Sequence, residues 1–197
     1  GYFYVSYYDP TIFSETAVFP VRYEVPENNL PYMYFYDDFG WIDNTGFSSN
    51  TGYGLVHYSI GQFSPPYFPV QIKRIGTYIV EENSSFEIEF YEDFSGGTLS
   101  GMIGTIESGT LPFAGYYTFP VDFGSDTLGE DYYIKVKYSS PATNNPIPVE
   151  IYEANYNSNI IIETGKCWIS PDGNNWTAIG GKTSYQFDLC IKLYIED

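Results

Sequence analysis

Helix is the first thing missing from this 197-residue sequence. No stretch of a dozen residues repeats apolar side chains every 3.6 positions, and no segment is rich in Ala, Leu, Glu and Lys. No window of about 18 apolar residues exists, which excludes a membrane-spanning helix. No basic stretch followed by an apolar run marks a signal peptide. The chain opens on Gly1 instead of Met, which reads as a processed or excised piece of something longer. Basic residues are scarce: 8 Lys and Arg against 25 Asp and Glu leave a formal net charge of −17. Such a chain repels phosphate backbones and anionic membranes, so nucleic acid is excluded as a partner. The same charge suits solubility, cations and neutral ligands such as sugars. Histidine is represented by His57 alone and cysteine by Cys167 and Cys190, too few for a zinc site. Neither cysteine stands at a helix start that would activate a thiol, so His57 reads as an ordinary strand residue. One disulfide between Cys167 and Cys190 is the expectation, with two free thiols as the alternative.

Aromatic residues are abundant. The chain holds 22 Tyr, 15 Phe and 3 Trp, rings that pack well on a pleated surface. Period-2 alternation accompanies them. Phe86-Glu87-Ile88-Glu89-Phe90 and Ile134-Lys135-Val136-Lys137-Tyr138 each set apolar residues on one face and charges on the other. Val149-Glu150-Ile151 is a shorter copy. The tail places Phe187, Leu189, Ile191, Leu193 and Ile195 on one face, with Asp188, Cys190, Lys192, Tyr194 and Glu196 opposite, and predicts one half-buried strand of about nine residues. Turn clusters such as Asn44-Thr45-Gly46, Asn83-Ser84-Ser85, Gly124-Ser125-Asp126 and Asp172-Gly173-Asn174-Asn175 punctuate the strands. This rhythm predicts an all-β, antiparallel β-sandwich of jelly-roll type, with a closed barrel as runner-up. Two aromatic strands are expected at Tyr2–Tyr8 and Ala17–Val25, followed by a linker-like Pro26–Pro31. The expected division is residues 1–28, a short N-terminal β segment, and 29–197, the sandwich.

From Tyr32 onward a series of motifs carries a resemblance. It comprises Tyr34-Phe35-Tyr36-Asp37-Asp38-Phe39-Gly40-Trp41, Ala114-Gly115-Tyr116-Tyr117-Thr118, Ile147-Pro148-Val149-Glu150, Trp168 to Trp176, and the closing Asp188-Leu189-Cys190-Ile191-Lys192. In order and spacing these resemble the lectin-like β-sandwich domain that follows papain-like cysteine peptidase domains in some secreted prokaryotic proteins. Gly1-Tyr2-Phe3-Tyr4-Val5-Ser6-Tyr7-Tyr8-Asp9 is similar to the last strands of such a peptidase domain. The Cys nucleophile, His base and orienting Asn of that chemistry would then lie upstream of Gly1. The resemblance therefore implies a non-catalytic accessory module of a secreted or cell-surface peptidase, with an upstream peptidase domain as its partner. The alternative is a structural or adhesion module with no small ligand.

Carbohydrate is the ligand class expected, held by ring stacking and by polar groups in the turns. The candidate residues are Trp41, Tyr116, Tyr117 and Trp176, facing a polysaccharide or cell-surface glycan. Ser170-Pro171-Asp172-Gly173-Asn174-Asn175-Trp176 resembles a shortened Asp-box turn over which the Trp folds back. No cofactor is expected beyond a possible structural calcium on Asp37, Asp38 and Asp43, which cluster around Gly40 without the spacing of an EF-hand loop. Glu87, Glu89 and Glu150 are strand carboxylates that could face one another as a glycosidase pair, although nothing in the pattern selects two of them. An orphan aromatic strand edge near the N-terminus makes a homodimer a natural expectation.

Overall fold

The computed structural model describes residues 32–59, 71–121, 131–152, 160–181 and 186–196. The chain divides into two units, Gly1–Leu30 and Pro31–Asp197, and every described residue lies in the second. The strands expected at 2–8 and 17–25, the linker at 26–31, the peptidase-like motif at 1–9 and the turn at 124–126 lie outside the described residues.

Thirteen strands and no helix are described. They are β1 (Tyr32–Tyr34), β2 (Asp43–Thr45), β3 (Thr51–Ser59), β4 (Gln71–Ile79), β5 (Ser84–Ser95), β6 (Thr98–Leu111) and β7 (Gly115–Pro120). Then follow β8 (Asp131–Ser139), β9 (Ile147–Ile151), β10 (Cys167–Ser170), β11 (Thr177–Ile179), β12 (Phe187–Leu189) and β13 (Ile191–Glu196). All described pairings are antiparallel. One sheet runs β1-β13-β4-β7 and another β11-β10-β3-β8-β5-β6. Removing β10 and β11 leaves β3-β8-β5-β6 opposite β1-β13-β4-β7, the interleaved strand order of a jelly roll. A third, small sheet runs β12-β9-β2. The predicted all-β jelly-roll sandwich is thus the observed fold.

The alternation read from the sequence builds the core. Tyr132, Ile134, Val136 and Tyr138 of β8 and Phe86, Ile88 and Phe90 of β5 point inward, where they join Val56, Tyr58, Ile75, Ile191 and Leu193. Two glycines let β3 lie close under its neighbours. A Cβ on Gly52 would stand 2.9 Å from Ile147 Cδ1, and one on Gly54 would stand 3.1 Å from Leu189 Cδ1. The long edge strand β6 is broken by two register shifts against β5, an arrangement that bends an exposed edge away from further pairing.

The C-terminal strand departs from expectation. Instead of one half-buried strand, the chain changes sheets at Cys190: β12 joins the small sheet and β13 the four-stranded one. The Cys190 amide donates to the Pro148 carbonyl at 3.3 Å, and its carbonyl accepts from the Thr77 hydroxyl at 2.9 Å. Both faces are consequently covered, and Asp188, Cys190 and Lys192, all assigned to the wet face by alternation, are buried. Each polar side chain among them has found an internal partner, as burial of polar groups requires.

Four consecutive residues tie the three sheets together. The Tyr36 hydroxyl donates to the His57 carbonyl of β3 at 2.8 Å, and its ring stacks on Tyr58. Asp37 Oδ2 lies 2.7 Å from Lys192 Nζ of β13, and the same ammonium also donates to the Asp37 carbonyl. The backbone amides of Asp38 and Phe39 donate to the two carboxylate oxygens of Glu150 on β9. The six-, four- and three-stranded sheets are each gripped once. Replacing Lys192 by Met leaves a buried carboxylate unpaired and is expected to cost about 3–5 kcal/mol of unfolding free energy in urea. The double variant Asp37→Leu, Lys192→Met is expected to regain most of it; equal losses in both would contradict the pairing.

Candidate functional site: an aromatic sheet face

The outer face of the six-stranded sheet is built in three rungs, each a line of paired residues. The first crosses from Trp168 to Leu55, Lys135 and Glu89. The second crosses from Ser170 to Tyr53, Lys137 and Glu87. The third crosses from His57 to Tyr133 and Tyr91. Because strand side chains alternate, every second residue of each strand lands on this one surface. Leu55 is fully buried although it points away from the core, so a further layer of side chains lies over the sheet here.

The turn after β10 supplies part of that layer. Ser170 Oγ accepts from the Gly173 amide, and Asp172 Oδ1 accepts from the amides of Asn174 and Asn175. Those amides, with the Asn175 side chain and the Ser170 hydroxyl, hold the Asp172 carboxyl well below the usual carboxylate range. Gly173 sits at φ +77°, and a Cβ there would lie 3.1 Å from the Tyr53 ring and 3.4 Å from Lys135 Cε. The turn is therefore pressed onto the sheet, and Trp176 leaves it toward Phe94, edge-on at 6.1 Å. Phe94 also meets Trp168 at 5.0 Å and Tyr133 at 5.9 Å. His57 stacks on the other side of Tyr133 at 4.6 Å. Phe94, Tyr133, Trp168 and Trp176 are all half-buried, so their rings pack together and still present surface to solvent.

Charge is threaded through the rings. Lys135 Nζ lies 2.6 Å from Glu89 Oε2 and stands 5.5 Å and 5.8 Å from the ring centres of Tyr53 and Tyr91. The Tyr91 hydroxyl donates to Glu89 as well. Burial works against the Lys135 ammonium, but the hydrogen bond and charge of Glu89 outweigh it and raise its pKa. His57 Nε2 lies 2.8 Å from Asp131 Oδ1. Burial, then the charges of Asp131 and Asp93, raise the pKa of the Tyr133 hydroxyl.

The four sequence candidates do not converge. Trp176 belongs to this face. Trp41 and Tyr116 lie on the outer face of the other large sheet, joined by Tyr78 at 6.0 Å and 4.8 Å. There the Tyr116 and Tyr194 hydroxyls are 2.6 Å apart, and Tyr116 crosses Gly76 so closely that a Cβ would collide with it. The Trp41 indole N–H is already given to Asn44 at 2.7 Å. Tyr117 turns toward the core, stacked on Phe119, with its hydroxyl on the Phe113 carbonyl. Sequence reasoning missed Trp168, Tyr133, Tyr53 and Phe94. The outward positions of 131–139 were legible as a strand face, but the residues they meet come from β3, β10 and the β5–β6 hairpin.

Of three further groupings, the expected disulfide and two possibilities the sequence left open, none forms among the described residues. Asp37, Asp38 and Asp43 do not assemble a metal site: Asp37 turns inward onto Lys192, whereas Asp38 and Asp43 are exposed. Among the described residues no group of three or more metal-ligating side chains forms. Cys167 and Cys190 are buried free thiols. Cys167 faces the Leu189 backbone and Asp188, while Cys190 faces Asp37, so the two sulfurs are directed to different partners. Burial raises both thiol pKa values, the opposite of what a nucleophile needs. Finally, Glu87, Glu89 and Glu150 do not pair for hydrolysis. Glu89 is neutralised by Lys135, Glu87 stands opposite Lys137, and Glu150 caps backbone amides.

Among the described residues, Asp188 is a buried carboxyl with neither a cation nor a partner for both oxygens. Asp188 accepts the Glu163 amide on Oδ2 at 3.1 Å and faces Glu150 across the β12–β9 pair. Its Oδ1 has no hydrogen-bond partner. Burial first, then the charges of Glu163, Glu150 and Asp37, push it up to about 8 against the help of that amide; Cys167 and Tyr36 also face it. The group is thus protonated in the fold at neutral pH and ionised in the unfolded chain. Its contribution to stability is complete below about pH 4 and is lost as pH rises through about 8. Urea midpoints are expected to fall between about pH 5 and pH 8.5, and Asp188→Asn is expected to flatten that fall. A variant as pH-dependent as the parent would contradict the assignment.

Comparison with known proteins agrees with this architecture. The lectin-like domain family matches residues 33–195, so the chain belongs to that family. No curated protein matches it in sequence. Among solved structures, the clostridial cysteine protease Cwp84 after propeptide cleavage is similar, with a TM-score of 0.67 and 15% identity over 84% of this chain and 40% of the other. The cysteine protease and lectin-like domains of Cwp84, a surface layer associated protein of Clostridium difficile, give 0.65 and 16% over 88% and 37%. The chain thus spans two fifths or less of these structures, and at this identity the likeness is one of fold.

Proposed function

We propose that this domain is the non-catalytic accessory module of a cell-surface cysteine peptidase, and that it holds the enzyme to glycan through the outer face of the six-stranded sheet. The observation that carries the reading is that surface itself. Four half-buried rings share one face with an ion pair, the combination that sugars use, in which C–H faces lie on rings and hydroxyls bond to fixed polar groups. The accessory role is supported by the family and by the two-domain peptidase structures that share the fold. A surface location is supported by the description of Cwp84 as surface layer associated. The absence of chemistry of its own is supported by the state of its nucleophiles. Both thiols are buried and raised in pKa, and the lone His is engaged by Asp131 and Tyr133.

The test is calorimetric titration with cell-wall glycan fragments. Trp168→Ala and Trp176→Ala are each expected to weaken binding about tenfold, the effect of losing a central aromatic contact. Trp41→Phe, on the other sheet, is expected to leave affinity unchanged. Loss of binding in Trp41→Phe alone would move the site to the opposite face. No binding by the parent at millimolar ligand would favour the structural module instead.

A further inference from the structure

We infer that the glycan recognised by this face is a polycationic one, bearing free amino groups, and that Asp93 and Asp131 are the residues that select it. The inference rests on the glycan-binding reading and deepens it.

The argument starts at Tyr133, which is bracketed by carboxylates on two sides. Asp131 lies two residues before it on β8 and is fixed by His57, whose ring stacks on Tyr133. Asp93 precedes Phe94, the ring 5.9 Å from Tyr133, and its Oδ2 is fixed by the hydroxyls of Ser95 and Ser100 at 2.9 Å and 3.1 Å. Both carboxylates are exposed. Their charges therefore face solvent beside the rings; Asp131 is shared with His57 and lies in the field of Lys166, whereas Asp93 is held by the two hydroxyls.

Each lysine of this face has a carboxylate near it, Lys166 acting on Asp131. Lys135 is held by Glu89, and Lys137 stands opposite Glu87. An acidic polysaccharide would have to displace Glu89 from Lys135, meet Glu87 across from Lys137, and approach a chain of net charge −17. An ammonium meets the reverse situation. It can rest on the face of Tyr133 or Trp168, where ring quadrupoles attract cations, with a carboxylate within reach on either side. Rings supply affinity for any sugar, and the two aspartates add discrimination for a charged one.

Calorimetry on the whole chain with three probes separates the possibilities: an oligomer of glucosamine, the same oligomer fully N-acetylated, and an oligomer of galacturonic acid. The glucosamine oligomer is expected to bind about tenfold more tightly than the acetylated one at low salt, and the galacturonic acid oligomer least. The preference is expected to shrink at molar salt, where the screening length falls to about 3 Å. Asp93→Asn and Asp131→Asn, conservative changes on exposed positions, are each expected to reduce the preference while binding of the acetylated oligomer persists. Equal or tighter binding of the acetylated or acidic oligomer would overturn the inference and leave the glycan-binding reading standing. An unchanged preference in both variants would overturn the role of the aspartates. Failure of all three probes to bind would overturn both readings.

Discussion

The buried contact between Asp37 and Lys192 is the constraint on which the rest of this fold depends. It is the one ion pair described whose carboxylate is wholly enclosed, and it closes the loop after β1 onto β13. Tyr36 on one side and Asp38 and Phe39 on the other then reach the remaining sheets. The charge of Asp37 is felt widely. Burial is the main reason that the pKa values of Tyr58, Tyr78, Tyr138, Glu150, Asp188 and Cys190 are raised, and the charge of Asp37 adds to each. Burial pushes Asp37 itself up to about 6, with Lys192 pulling the other way, so it is ionised and paired at neutral pH. A pair of this kind adds little net stability over apolar packing, but breaking it is costly, so it favours one arrangement of the sheets over others.

The same economy explains the distribution of acid in the interior. Of the three fully buried carboxyls among the described residues, Asp37 has a cation, Glu150 has two backbone amides, and Asp188 has one amide and keeps its proton. These are three of the ways a protein can bury a carboxyl group: pair it, hydrogen-bond it, or leave it neutral. All three lie around the junction where β12 gives way to β13 and the small sheet meets the sandwich. The outward aromatic face lies on the six-stranded sheet, away from this junction, and is free of such constraints.

Much of the fold was legible because alternation is a local signal. Phe86 to Phe90 and Ile134 to Tyr138 fall in strands of the predicted facing, and the turn at Asp172–Asn175 is where Gly and Asn placed it. The tail was misread for a physical reason. Alternation identifies which residues are polar, whereas exposure depends on whether a partner waits inside, and Lys192 finds Asp37 across 155 positions. The three aspartates near Gly40 looked like cation ligands for the same reason: their spacing was visible and Lys192 was not. The candidate site was only half visible. Trp176 was read from its turn, but its companions Phe94, Tyr133 and Trp168 come from three separate strands whose register no single window reveals.

The central claim is that ligand is met by the rings of the six-stranded sheet, and tryptophan emission addresses it most directly. The chain has three Trp, and replacing Trp41 by Phe leaves only Trp168 and Trp176, both on that face. Titration of Trp41→Phe with the glucosamine oligomer is predicted to shift the emission saturably, with a midpoint equal to the calorimetric Kd. Calorimetric binding with unchanged emission, or no change at millimolar ligand, would contradict it.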